Sequence, residues 1–127
     1  KHYSNKLQHF TIDNKIKLTC EFPYSDEHCN SCGLSKRNIL IANTNEFDKE
    51  ISVFIGDGVS DFCVSNYADV VFAKHRLASY CWKNNITYYE YRDFNDIKNK
   101  FLKLIDKGLF KQKQNAKTLR KEVLYGG

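Results

Sequence analysis

The feature that most limits what this chain can fold into is a short apolar run that stops dead. Ile51-Ser52-Val53-Phe54-Ile55 is β-branched and nearly continuous, and Gly56-Asp57-Gly58-Val59-Ser60-Asp61 follows at once. Such a run reads as a strand buried on both faces, the signature of a parallel sheet. A second run of the same kind, Asp69-Val70-Val71-Phe72-Ala73, lies a short segment later. Residues 61–67 leave room for one or two helical turns between them. Leu77 to Asn85 has helical spacing with Leu77, Tyr80 and Cys81 inward, and Asn84-Asn85 is a good stop. Ile86-Thr87-Tyr88-Tyr89 reads as a third strand. Asp93 caps a helix over 94–106, with Phe94, Ile97, Phe101, Leu104 and Ile105 on its apolar side and Gly108 at its end. Strands alternating with helices define the α/β class.

Upstream the period changes. Residues 7–22 alternate around Asp13-Asn14-Lys15, which predicts a hairpin ended by Pro23. A polar loop over 23–35 carries Cys29 and Cys32. A helix over 35–45 follows, with Ser35 as N-cap and Ile39, Leu40 and Ala42 on one side. The 127 residues give room for one domain, divided here into a main portion, 1–106, and a basic C-terminal helix or tail, 107–127. The net charge of +5 is too mild to mark a nucleic-acid binder. No apolar run is long enough to span a membrane and no signal segment opens the chain. Five cysteines cannot all pair, which fits reduced thiols in the cytoplasm. The chain contains no methionine, as expected of a processed start or of the interior of a longer gene product.

In open α/β sheets ligands bind outside the carboxyl ends of the strands. Asp57 and Asp61 stand there, four residues apart, where two carboxylates can converge on one hard cation such as Mg²⁺. Their spacing excludes an EF-hand, and the absence of a following Gly-Lys-Ser/Thr excludes a Walker loop. The competing reading is structural: Asp57-Gly58 as a turn and Asp61 as a helix cap.

The stretch Val53 to Phe62, followed by Ala68 to Ala73, resembles the fourth motif of the haloacid-dehalogenase-superfamily phosphatases and the strand after it. Phe22-Pro23-Tyr24-Ser25-Asp26, Cys29-x-x-Cys32-Gly33 and Lys36-Arg37 extend the likeness toward the branch that holds the methionine-salvage and phosphoserine phosphatases. The resemblance covers residues 3–105 and implies a Rossmann-like three-layer sandwich, with the hairpin appended, present as a partial domain. It implies that Lys36 neutralises the substrate phosphate, that Asp57 binds Mg²⁺, and that Asp61 joins the metal site or orients Lys36. Gly58 and Ser60 would contact substrate; Ser60 stands where relatives often carry asparagine. The catalytic set is then Lys36, Asp57 and Asp61, and the substrate a small phosphorylated metabolite.

The nucleophile motif is missing. No Asp-x-Asp occurs in the sequence, nor the second motif's strand-ending Ser/Thr, nor a helical cap between them. A carboxylate nucleophile and a leaving-group acid are both needed for phosphoryl transfer through an aspartyl-phosphate. The expectation is a C-terminal portion of a phosphomonoesterase, inactive alone, completed by a missing N-terminal half or a complementing chain. The alternative is a non-catalytic half-domain that binds a partner protein or nucleic acid. Cys29 and Cys32 have the spacing of a zinc pair, a redox pair or an inert loop. Tyr88, Tyr89 and Tyr91 beside Arg92 could stack on bases, or serve as sheet-face residues, the expectation preferred here. His75 and Trp82 read as surface and packing residues.

Overall fold

A computed structural model describes residues 1–30, 32–44 and 49–126. The chain opens with an antiparallel hairpin, β1 (Lys6–Ile12) and β2 (Lys15–Glu21). Its loop is the two residues Asp13 and Asn14, both at positive φ, as a type I′ turn requires. Helix α1 (Lys36–Asn43) leads to β3 (Val53–Gly56), a 3-10 turn over Val59–Asp61 and the short α2 (Phe62–Ser65). Then come β4 (Val70–Ala73), α3 (His75–Lys83), β5 (Tyr89–Glu90), α4 (Phe94–Asp106) and α5 (Gln114–Tyr125).

Strands β3, β4 and β5 form a parallel sheet in that order, with Gly56 opposite Ala73 and Ala73 opposite Glu90. Alternate residues of β4 feed two cores. Val71 and Ala73 pack with Leu77, Ala78, Cys81 and half-buried Leu40 on the α1–α3 side. Val70 and Phe72 pack with Ile97 and Leu104 of α4 on the other. Helices thus cover both faces, giving the α/β, Rossmann-like layering the sequence predicts, with the hairpin as a separate two-stranded sheet.

Several details differ from the sequence reading. Strand β3 is not buried on both faces: Val53 and Ile55 are each 37% exposed, because β3 is an edge strand with nothing paired beyond it among the described residues. Strand β5 is two residues long and begins after Tyr88, so residues 86–88 enter as connection. Ser35 sits at the N-cap of α1 but does not cap it; its backbone is left-handed (φ 58°) and its hydroxyl donates instead to the Cys29 carbonyl at 2.6 Å. That helix buries Ile41 and Arg37 and leaves Ala42 exposed; residue 45, where the predicted helix ends, lies outside the described residues. In α4, Phe94 and Ile105 face outward, while Asp93 caps as expected by accepting the Asp96 N–H at 2.8 Å. Gly108 ends the connection after α4 at φ +67°.

The C-terminal segment is tied to the sheet. Arg120 of α5 is fully buried and pairs with buried Asp69 at 3.3 Å, while donating to the Tyr67 carbonyl at 2.6 Å. Asp69 also accepts from the Lys113 and Ser52 backbone N–H groups, both at 2.9 Å. One acid at the start of β4 therefore joins α5 to the entry of β3.

Candidate active site

The loop after β3 is built around one buried carboxylate. Asp61 directs one oxygen at the N–H groups of Asp57 (2.9 Å) and Gly58 (3.0 Å), so its side chain closes the loop on itself. The other oxygen accepts from the Lys36 ammonium. Lys36 opens α1, and its ammonium also donates to the Ser60 hydroxyl at 3.0 Å. Burial pushes the Asp61 carboxyl up, but the Lys36 hydrogen bond, the Gly58 and Asp57 N–H groups and the Lys36 charge outweigh it and hold the group below the usual carboxylate range.

Close approach explains one glycine. A Cβ on Gly56 would lie 2.6 Å from Asp61 Oδ2, so only glycine lets the strand pass the carboxylate. Gly58 is different: a Cβ there meets nothing within 4 Å, and its φ of −117° suits any residue. The steric requirement for glycine beside Asp57 rests on Gly56 alone.

Lys36, Asp57, Gly58, Ser60 and Asp61 are therefore brought to one place, at the carboxyl end of the parallel sheet. The Asp57 side chain is exposed, and it makes no hydrogen bond or ion pair with the described residues. Of the two candidate cations at the start of α1, Lys36 is the one that faces the loop. Arg37 turns inward, onto the Tyr67 ring (5.6 Å to its centre) and toward Asp26 at 3.6 Å.

The polar loop upstream fixes the start of α1. Asp26 accepts the N–H groups of His28 (2.9 Å) and Cys29 (2.7 Å), and Asn38 donates to the Tyr24 carbonyl at 2.8 Å. Cys29 is buried within this loop, and burial pushes its thiol up. Among the described residues no group of three or more His, Cys, Asp or Glu side chains is placed to hold a metal ion. All five cysteines carry free thiols.

Sequence reasoning missed two residues at the same sheet end. Tyr91, just past β5, donates its hydroxyl to the Gly56 carbonyl at 3.3 Å. Lys74, just past β4, donates its backbone N–H to that carbonyl at 3.3 Å, and its ammonium lies 4.9 Å from the centre of the Tyr91 ring. The usable signal was position: each lies within two residues of the end of a predicted parallel strand, as Asp57 does.

No protein-family model matches the chain. Curated relatives do. It is 36% identical over 93 residues to the 2-hydroxy-3-keto-5-methylthiopentenyl-1-phosphate phosphatase of Bacillus cereus (strain ATCC 10987), an alignment covering 70% of this chain and 41% of that protein. The proteins of the same name from Bacillus thuringiensis subsp. konkukian (strain 97-27) and Bacillus anthracis are 32% identical over the same shares. Over the matched residues the chain is similar in sequence to these haloacid-dehalogenase-superfamily phosphatases. It matches 41% of the length of these superfamily relatives, in keeping with a partial Rossmann-like domain. Among the described residues no helix is long and apolar enough to cross a membrane.

Proposed function

We propose that this chain is the phosphate-positioning portion of a Mg²⁺-dependent phosphomonoesterase acting on a small phosphorylated metabolite in the cytoplasm. The observation that carries the reading is the Lys36 ammonium, fixed by Asp61 beside the exposed Asp57 carboxylate at the carboxyl end of a parallel sheet. That its relatives bear the names of phosphatases supports it.

Each residue has a part its placement suits. Lys36 faces the loop and neutralises phosphoryl oxygens. Asp61 holds Lys36 and the loop rigid, so little reorganisation is needed when charge develops. Gly58 and Ser60 line the phosphate position beside it. The donor set fits Mg²⁺, a hard cation that takes one or two carboxylates and leaves the rest of its shell to water and phosphate. Asp57 would hold it through an unengaged carboxylate; Asp61, whose oxygens already accept from Lys36 and two N–H groups, would stand as the second acid. Once bound, the ion supplies positive charge against the phosphoryl oxygens.

The nucleophile must come from a segment this chain does not contain. The free edge of β3 is where a further strand can pair, and a cavity of about 630 Å³ lined by Ile39, Leu40, Val53 and Phe54 runs along it. The test is to co-express the chain with a polypeptide carrying the Asp-x-Asp segment of a relative and assay p-nitrophenyl phosphate hydrolysis with Mg²⁺. Expected is hydrolysis that needs both chains and is abolished by Asp57→Asn. Hydrolysis that survives Asp57→Asn, or none with a complement that demonstrably binds, refutes the reading.

A second reading, a non-catalytic module for a partner protein, draws on the hairpin. Every residue of β1 and β2 is exposed, including Leu7 (71%), Ile16 (72%) and Leu18 (65%). Binding of a partner that survives Asp57→Asn and is lost in Leu7→Lys/Ile16→Lys favours this second role.

A further inference from the structure

The sheet register sets three residues in a row across its carboxyl end. Gly56 pairs with Ala73 and Ala73 with Glu90, so Asp57, Lys74 and Tyr91 are each the next residue after a paired position. Neighbouring strands lie about 4.8 Å apart, so the backbones at these positions are adjacent. The Gly56 carbonyl knots the row, accepting from the Lys74 N–H and the Tyr91 hydroxyl.

Lys74 is held differently from Lys36. It is half-buried, and among the described residues its ammonium has no acid partner. What it has is the face of Tyr91, 4.9 Å from the ring centre, a contact that orients a cation without neutralising it. Lys36, by contrast, has its charge matched by Asp61. With Lys36 matched by Asp61, Mg²⁺ on Asp57 would leave a single net positive charge against a phosphate dianion, and a second lysine supplies the other.

We propose that Lys74 is a second oxyanion-binding residue of this site, contacting the phosphoryl group from the end of β4 while Lys36 contacts it from α1, and that Tyr91 is the positioning residue that seats the Lys74 ammonium. The inference rests on the phosphate-binding reading above and adds a ligand contact and a positioning residue to it.

Inorganic phosphate is the probe, titrated in the presence of Mg²⁺ into the chain as it stands, with binding followed by NMR and the fold by circular dichroism. Lys74→Ala should weaken phosphate by about 10- to 100-fold, the loss of a charge-assisted hydrogen bond. Lys74→Arg should bind within about threefold of wild type, since it keeps the charge and the ring contact. Tyr91→Phe keeps the ring and should bind nearly as wild type, whereas Tyr91→Leu should weaken phosphate about two- to fivefold. Lys83→Ala, at the far end of α3, is the control for general surface charge. Phosphate binding lost in Lys36→Ala but intact in Lys74→Ala overturns the proposal and leaves the site reading standing. Equal weakening in Lys74→Ala and Lys83→Ala also overturns it, by reducing the effect to overall charge. No binding by the wild-type chain overturns both.

Discussion

Two glycines flank Asp57, and the structure predicts opposite fates for them. In Gly56→Ala the new Cβ would sit 2.6 Å from Asp61 Oδ2 and 2.8 Å from the Phe54 ring. To reach an ordinary 3.4 Å contact the carboxylate must retreat by about 0.8 Å. That oxygen holds the Asp57 and Gly58 N–H groups at 2.9 and 3.0 Å, and its partner oxygen holds Lys36. Retreat therefore stretches both loop bonds and tilts the ion pair. Overpacking of this kind costs about 1–3 kcal/mol, and hydrogen bonds to a charged acceptor are worth about 1.5–3 kcal/mol each. With partial relaxation the expected loss is about 2–4 kcal/mol. Gly58→Ala meets open space at an ordinary φ, so it should be neutral or stabilise by about 0.4–1 kcal/mol through the unfolded chain. Urea unfolding measures both. With m near 2 kcal/mol/M, the Gly56→Ala midpoint should fall by about 1–2 M and that of Gly58→Ala should hold or rise slightly. Equal midpoints for the two variants, or the larger loss at Gly58, would refute the account of how Asp61 closes the loop.

Two further predictions follow from buried charge. Arg120→Met leaves Asp69 buried without its guanidinium, so it should destabilise the chain by about 3–5 kcal/mol and lower Tm by about 10–20 °C in a thermal melt; a change of a degree or two would mean that α5 is not held by this pair. The carboxyl of Asp61 is held below its ordinary value in the folded chain. The unfolded chain therefore binds more protons in that interval, and stability rises with pH there. The contribution is fully present above the unfolded value of about 3.9 and is lost as pH falls through the folded value. Urea midpoints taken from about pH 5 downward should fall less steeply in Lys36→Met than in the wild type, because the variant lacks the partner that depresses Asp61.

The α/β order, the hairpin turn and the carboxylate loop were legible because each has a local cause. A continuous β-branched run, a turn placed at Asp13-Asn14-Lys15 and a Gly-flanked acid declare themselves within a few residues. The misreadings all depended on what lies across the fold. Val53 and Ile55 look like core residues until the sheet is seen to end at β3. Ser35 looks like a cap until its hydroxyl is found on the Cys29 carbonyl. Nothing local marks Arg37 and Arg120 for burial, and each is buried where an acid of another segment, Asp26 or Asp69, meets it. Of the site, Lys36 needed the family likeness to be chosen, since nothing local separates it from Arg37. Lys74 and Tyr91 needed the register, because only the pairing of three strands sets them beside Asp57.

The bonds that arrange this site lie within the chain itself. Asp61 is fixed by its own loop and by Lys36, Lys36 by a helix whose start is bolted to the Asp26 loop, and Gly56 by the residues that follow β4 and β5. None of these contacts involves the open edge of β3. On the proposed reading, Lys36 and the Asp61 loop stand pre-formed before any nucleophile arrives, and a complementing strand would need to supply only its acids and its edge pairing. Preformed donors of this kind need no reorganisation on binding, which favours assembly around a phosphorylated ligand. A complementing segment should accordingly bind more tightly when phosphate and Mg²⁺ are present, by the linkage that joins any two ligands sharing one ordered site.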